Sequence, residues 1–228
     1  MKNKLLLFTI IATQIFLLIY LKFTAWPEMT LWPYLISKGW LPYKDIAIAH
    51  TPHLLISLSY VYRIFGVGII QLKIYTWALI LTADILVYLT VKKLWNTKTA
   101  LVALIAYGLW LIFYDGNGLW FDLILAPISL ITFYFLNKKQ YFLTGIFWAF
   151  MLFNKQTAIW FLAPIIFAVV KDISEQHSNT SSIKIVRNLF WGVLVTFTIW
   201  ICGLWVWGVL PFFYNWAINF GIFILPKA

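Results

Sequence analysis

The chain alternates between long apolar runs and short polar clusters. A run of roughly 17–25 apolar residues can cross a bilayer as a helix, whereas a run of 10–14 is usually too short. On this rule we predict seven spans, at about residues 5–24, 69–91, 98–114, 119–136, 140–154, 156–171 and 188–210. The fifth and sixth are separated only by Asn154-Lys155-Gln156, so they form either a helical hairpin or one broken helix.

The segment between the first two spans, residues 25–67, does not have the pattern of a span. It carries charged and imidazole side chains among prolines and aromatic residues, which indicates a catalytic-type loop at a membrane surface. Its apolar part, residues 54–65, is too short to cross the bilayer before Arg63. The apolar residues of that part fall at helical spacing, and we therefore predict a juxtamembrane helix lying along the surface.

Basic residues orient the predicted bundle. If residues 54–65 do not cross, ten of the seventeen Lys and Arg residues lie in short clusters on the cytoplasmic side, as the positive-inside rule requires. The N-terminus is then cytoplasmic and the 25–67 loop extracytoplasmic, in a multi-pass protein of the cell membrane. Residues 172–187 are expected to form a polar cytoplasmic linker. The apolar tail from residue 212 resembles the beginning of a further helix, so we expect a truncated C-terminus.

Composition agrees with lipid as the solvent. The 228 residues are 63% hydrophobic and 11% charged, whereas soluble domains are about 45–50% apolar and about 25% charged. The predicted fold class is therefore all-α, a polytopic membrane helix bundle forming one transmembrane domain of residues 1–228. The net charge of +10 is not gathered on one face, so no nucleic-acid partner is expected. The single Cys202 offers no disulfide framework.

Glu28 and Asp122 are the candidate catalytic carboxylates, because ionisable groups at the hydrocarbon boundary are costly and usually functional. Glu28 follows Pro27 directly after the first span. It is expected to act as a general base; a metal ligand, or a carboxylate that merely ends the span, is the alternative. Asp122 lies about four residues into the fourth span, where it either serves the same site or stabilises the helix N-terminus.

Lys155, His50 and Lys44 are the candidate substrate-binding residues. Lys155 interrupts two apolar runs, so it either binds phosphate or snorkels to the interface. His50 is expected to contact substrate or to cap the juxtamembrane helix. Lys44 is a weaker phosphate candidate, since it is expected to pair with Asp45.

The other ionisable groups are expected to be structural. We predict structural roles for Asp45 and His53, a hydrogen-bonding role inside the bundle for Asp84, and an ordinary turn at Asp115-Gly116-Asn117-Gly118. His50 and His53 are three residues apart without further ligand spacing, which is a weak metal signal. No cofactor is therefore indicated, with a divalent metal left as an alternative.

A series of short motifs follows the first span in a characteristic order. After Glu28 come Gly39-Trp40-Leu41-Pro42-Tyr43-Lys44-Asp45, His50-Thr51-Pro52, Val91-Lys92-Lys93-Leu94-Trp95, Phe121-Asp122-Leu123 and Asn154-Lys155-Gln156. This order resembles the N-terminal half of the GT-C glycosyltransferases of the protein O-mannosyltransferase and aminoarabinose-transferase type. The chain departs from that pattern in two places: Pro27-Glu28 stands where the family has an Asp-Glu pair, and Thr51 replaces a proline.

The resemblance implies transfer of a sugar from a polyprenyl-phosphate carrier to an acceptor hydroxyl on the outer membrane face, with inversion. The partners are then the lipid-linked donor and a protein, glycan or lipid acceptor. Glu28, helped by Asp122, would activate the acceptor, and Lys155 with His50 would neutralise the departing phosphate. The alternatives are a non-enzymatic polyprenyl-lipid transporter or flippase, which would place polar groups near the midplane, and a membrane scaffold.

Overall fold

The computed structural model of the protein describes residues 2–113, 116–175 and 179–225. The described part is helical, with no β-strand, and confirms the predicted all-α membrane-bundle class. Its α-helices are α1 (Lys2–Tyr20), α2 (Pro27–Ser37), α3 (His53–Phe65), α4 (Ile69–Leu94), α5 (Thr97–Phe113), α6 (Phe121–Asn137), α7 (Tyr141–Leu152), α8 (Leu162–Glu175), α9 (Asn179–Val206) and α10 (Leu210–Phe213). A 3₁₀ segment, Gln156–Phe161, precedes α8, and a π-helical segment, Tyr214–Ile224, follows α10. Asp115 of the predicted turn lies outside the described residues.

The predicted spans correspond to α1 and to α4 through α9. Four helical stretches of the described chain are long and apolar enough to cross a membrane: Asn3–Tyr20, Ile69–Leu94, Gln156–Glu175 and Ser182–Val206. Helices α5, α6 and α7 are apolar but shorter. The first span was predicted to reach residue 24, yet α1 ends at Tyr20. It ends there because the Asn117 side-chain amide donates to the carbonyls of Leu18, Leu21 and Lys22, which satisfies the open end of the helix.

The fifth and sixth predicted spans form a helical hairpin. The Tyr141 hydroxyl, at the start of α7, donates to Asp172 Oδ2, near the end of α8, at 2.6 Å. Nearer the turn, Trp148 Nε1 donates to the Ala158 carbonyl at 3.2 Å. Residues from the two ends of the segment therefore meet, which excludes one long broken helix.

Within residues 172–187, which were predicted to form a polar cytoplasmic linker, the described residues are helical. Helix α8 continues to Glu175 and α9 already begins at Asn179. A Lys171–Glu175 pair at 3.9 Å spans one turn of α8, and Lys139 holds Asp172 at 2.9 Å. A pair of opposite charges four residues apart stabilises a helix, so a polar sequence can continue the apolar helix that precedes it.

Helices α7 and α9 pack with their backbones in direct contact. A Cβ atom on Gly145 would meet the backbone of Leu189 and Val193, and one on Gly192 would meet the backbone of Phe142. Small residues allow this approach between apolar helices. The close packing anchors α7, and with it the turn that follows α7.

The 25–67 segment packs into the bundle. Helix α3 confirms the predicted helix, and α2 begins at Pro27, a favoured first helical residue. The Tyr62 hydroxyl donates to the Met29 carbonyl at 3.1 Å and joins the two helices. Met29, Leu54 and Leu58, all fully buried, belong to the same core as Phe121 and Met151 of the bundle.

Asp84 has the packing role that was predicted. Its side chain is 1% exposed, and the Gln14 side-chain amide donates to Asp84 Oδ1 at 3.2 Å. This hydrogen bond links α1 to α4 inside the bundle. Gln14 is thus the hydrogen-bond partner of the buried Asp84 carboxylate.

Candidate active site

Asp122 and Lys155 form an ion pair at one end of the bundle. The Lys155 ammonium lies 2.6 Å from both Asp122 Oδ1 and Asp122 Oδ2. The Lys155 side chain is 16% exposed and the Asp122 side chain 62% exposed. The sequence predicted two residues with separate roles, whereas the structure joins them into one neutral unit.

Local structure explains where the pair forms. Asp122 lies in the first turn of α6, where the helix dipole favours a carboxylate. Lys155 follows α7 in an extended conformation, and its N–H donates to the Met151 carbonyl at 3.0 Å. The buried Asn154 side chain donates to the Phe150 carbonyl at 2.8 Å and holds the turn.

His50 lies against the start of α6. Its ring centroid is 4.2 Å from that of Phe121 and 5.9 Å from that of Trp120. Burial, and then the positive charge of Lys155, lower the pKa of His50, while a hydrogen bond to Gln156 and the charge of Asp122 oppose this shift. The structure therefore brings His50 next to the ion pair as a neutral imidazole.

The Gly39–Asp45 motif forms a tight turn that holds His50. Asp45 Oδ2 accepts from the Leu41 N–H at 2.8 Å, and the Tyr43 N–H donates to the Ile46 carbonyl at 2.9 Å. Tyr43 is buried with a left-handed φ of 69°, and its hydroxyl donates to the His50 carbonyl at 2.9 Å. Asp45 thus anchors the turn.

Lys44 is the predicted substrate-binding residue that the structure does not bring to the ion pair. It is exposed and makes no ion pair within the described residues. The predicted pairing of Lys44 with Asp45 is wrong, because the Asp45 carboxylate is turned to the backbone N–H of Leu41.

Glu28 lies in the first turn of α2, half-buried. Its Oε2 atom is buried and has no hydrogen-bond partner among the described residues. Two residues earlier, the Trp26 ring lies 5.3 Å from Trp120, the residue whose ring also neighbours His50. An aromatic cluster of Trp26, Trp120, His50 and Phe121 therefore runs from the beginning of the Glu28 helix to the beginning of the Asp122 helix.

Gln156 and Asn117 lie at the same end of the bundle as the ion pair. The sequence did not predict the hydrogen bonds that their side chains make. Gln156 Nε2 donates to the Ala49 carbonyl at 2.7 Å and to the Ala217 carbonyl at 2.8 Å, which ties the His50 segment to the π-helical segment. Asn117 Oδ1 accepts from Trp77 Nε1 at 2.9 Å, in addition to its contacts with α1. In the sequence, the only indication of a role for either residue is an amide side chain next to an apolar run.

His53 has a structural position, as predicted. Its Nδ1 lies 3.0 Å from Asn154 Oδ1, and its ring packs against Phe150 at 4.3 Å and Trp200 at 5.6 Å. Burial lowers the pKa of His53 to about 4, against a smaller opposing effect of the Asn154 hydrogen bond. His53 is therefore neutral at physiological pH.

The depressed pKa of His53 predicts acid sensitivity of the fold. An unfolded histidine takes up a proton near pH 6.5, whereas folded His53 does so only near 4. Stability is therefore lost as the pH falls through this window, by at most about 1.4 kcal/mol per pH unit. We expect thermal unfolding in detergent to shift downward between pH 6.5 and 4 in the wild type, and markedly less in His53→Asn. An equal shift in both proteins would contradict this assignment.

The described residues contain no group of three His, Cys, Asp or Glu side chains that could hold a metal ion. His50 contacts Trp120 and Phe121, whereas His53 contacts Phe150 and Trp200. The two histidines are thus directed into different surroundings. The arrangement offers a carboxylate, a lysine and a neutral imidazole for chemistry.

Taken together, the apolar helices define a membrane protein, and a carboxylate–lysine pair lies at one end of its bundle. The family model for dolichyl-phosphate-mannose-protein mannosyltransferases matches residues 49–202. Since this is more than half of the chain, the chain belongs to that family, a family of membrane glycosyltransferases, and the predicted resemblance is confirmed. The match includes His50, Asp122 and Lys155, while Glu28 and Lys44 precede it. Comparison with curated proteins and with solved structures gives no match.

Proposed function

We propose that this protein transfers a sugar from a polyprenyl-phosphate carrier to an acceptor hydroxyl, with inversion. The observation that carries the proposal is the family match over residues 49–202, which includes the Asp122–Lys155 pair. The apolar helices around the pair suit a donor that arrives through the bilayer. A mannose donor is favoured by the family, and the acceptor is a protein, glycan or lipid hydroxyl.

In the proposed reaction the Glu28 carboxylate is the general base. It takes the proton of the acceptor hydroxyl while the hydroxyl oxygen attacks the anomeric carbon of the sugar. The bond from that carbon to the phosphate oxygen breaks, and its electron pair leaves with the polyprenyl phosphate. Glu28 is suited to this role because its buried Oε2 has no competing donor in the described part of the chain.

Lys155 is proposed to stabilise the departing phosphate. An ammonium has three N–H donors, and two contacts to Asp122 leave one for a phosphate oxygen. Asp122 then orients Lys155. This role differs from the one expected from the sequence, in which Asp122 helps Glu28 to activate the acceptor. His50, being neutral, contributes a hydrogen bond without a charge, and Lys44 is left as a peripheral phosphate contact.

The site is proposed to face the extracytoplasmic side. Asp122, Lys155 and the 25–67 segment meet at one end of the bundle, whereas Lys93 and Lys138 lie at the opposite ends of their helices. Positive clusters favour the cytoplasm, which supports this orientation and a cytoplasmic 172–187 segment. A core shared by the 25–67 segment and the bundle supports residues 1–228 as one transmembrane domain.

The function can be tested with the purified protein in liposomes that contain polyprenyl phosphate carrying radiolabelled mannose. We expect the label to leave the lipid and to appear on an added acceptor peptide or on acceptor lipid. Protein-free liposomes measure spontaneous hydrolysis. Movement of the intact labelled lipid across the bilayer without sugar transfer would instead establish the transporter alternative.

A further inference from the structure

Two lysines from different helices meet at the end of the bundle opposite the Asp122–Lys155 pair. Lys93 lies in the last turn of α4, and its ammonium is 4.7 Å from the centre of the Tyr134 ring on α6. Lys138 follows one turn after Tyr134 at the end of α6, so the charge of Lys138 lies near that of Lys93. Two like charges are thus held together, which is unfavourable without an anion between them.

No carboxylate neutralises this lysine pair within the described residues. The acidic side chains at this end are already engaged: Asp172 by Lys139 at 2.9 Å and by Tyr141, and Glu175 by Lys171. Lys93 and Lys138 are both exposed. The pair therefore presents two unneutralised ammonium groups to whatever surrounds this end of the bundle.

The surroundings of the lysine pair are those of a membrane interface. Trp95 is 66% exposed and Leu94 43% exposed directly after Lys93, and Tyr134 is 43% exposed beneath it. Exposed aromatic residues next to lysines are typical of the level of the lipid headgroups. An anion that reaches both ammonium groups at this level would carry acyl chains along the apolar helices.

We propose that Lys93 and Lys138 bind the phosphate of an anionic membrane phospholipid. The two ammonium groups donate to its non-bridging oxygens, which removes their mutual repulsion, and Trp95 contacts the region below the headgroup. Basic positions between helix ends are suited to such headgroups. This lipid is a structural ligand, remote from the Asp122–Lys155 pair, and its binding does not depend on the proposed glycosyl transfer.

The test compares thermal unfolding in detergent micelles with added phosphatidylglycerol, phosphatidylcholine or soluble glycerol phosphate. We expect phosphatidylglycerol to raise the unfolding temperature of the wild type by about 3 °C or more over phosphatidylcholine. In the Lys93→Gln/Lys138→Gln variant this increment is expected to vanish. The variant should unfold without lipid at the wild-type temperature or above it, because the repulsion is gone.

A charge-matched control is Lys22→Gln/Lys38→Gln, which removes two exposed lysines near the Asp122–Lys155 end. This control is expected to keep the full phosphatidylglycerol increment. An equal loss in both variants would show a general effect of net charge and overturn the proposal. So would the absence of any increment in the wild type, or an equal effect of glycerol phosphate, which would indicate a site for free phosphate.

Discussion

Replacing Glu28 by glutamine is expected to lower the rate of sugar transfer by about 10²- to 10⁴-fold, the usual contribution of a general base. The change keeps the shape of the side chain and removes only the proton-accepting charge. Because Glu28 Oε2 makes no hydrogen bond with described residues, little folding energy depends on it. The measurement is donor turnover in liposomes together with the unfolding temperature, which should stay close to that of the wild type.

Glu175→Gln is the matched control for this prediction. It is the same substitution, made at the end of α8, where Glu175 is exposed and lies 3.9 Å from Lys171. Transfer should be unaffected there. If Glu28→Gln turned over donor at the wild-type rate, Glu28 could not be the base and the role would have to be sought at Asp122.

Replacing Lys155 by alanine is expected to reduce transfer by about 10²- to 10³-fold, as for the loss of one electrostatic contact to a developing charge. The expected loss of stability is small, because the Asp122 side chain is largely exposed and an exposed ion pair contributes about 1 kcal/mol or less. Because the pair acts as a unit, Lys155→Ala/Asp122→Ala should be hardly worse than Lys155→Ala alone. Steady-state kinetics with varied donor concentration measure both effects.

The chain offers a second lysine–aspartate pair as the control for Lys155. Lys139 holds Asp172 at 2.9 Å at the other end of the bundle. Lys139→Ala breaks an ion pair of similar chemistry and should leave transfer intact. Equal losses in Lys139→Ala and Lys155→Ala would mean that ion pairs support the fold and that Lys155 has no special part in the reaction.

Much of the fold could be predicted because it depends on local pattern. Apolar run length located the spans, and the short run at 54–65 identified α3 to within one residue at its start. What the pattern missed depends on tertiary contacts. Helix α1 ends early because Asn117, about a hundred residues away in sequence, donates to the carbonyl of Leu18 and to those of Leu21 and Lys22 just beyond the helix.

The sequence identified individual residues of the candidate site, but it did not predict which of them contact each other. Asp122 and Lys155 were both recognised because a charge in an apolar run is costly. Their ion pair joins residues 33 positions apart, one in the first turn of α6 and one in the turn after α7, and depends on how α6 packs against α7. The neutral state of His50 likewise follows from burial and from Lys155, which spacing along the chain does not reveal. The roles of Glu28, Asp122, Lys155, His50 and Lys44 remain predictions.

Lys155 donates hydrogen bonds to both Asp122 carboxylate oxygens, so any phosphate that binds Lys155 must compete with Asp122. In the proposed reaction the lipid-linked sugar phosphate carries one negative charge and would share the Lys155 ammonium with Asp122. The monophosphate left after transfer carries nearly two charges and competes for it more strongly. We therefore expect the spent carrier to be a strong product inhibitor and its departure to limit the rate. In the proposed reaction Asp122 would compete with the polyprenyl phosphate for the Lys155 ammonium and so speed its release.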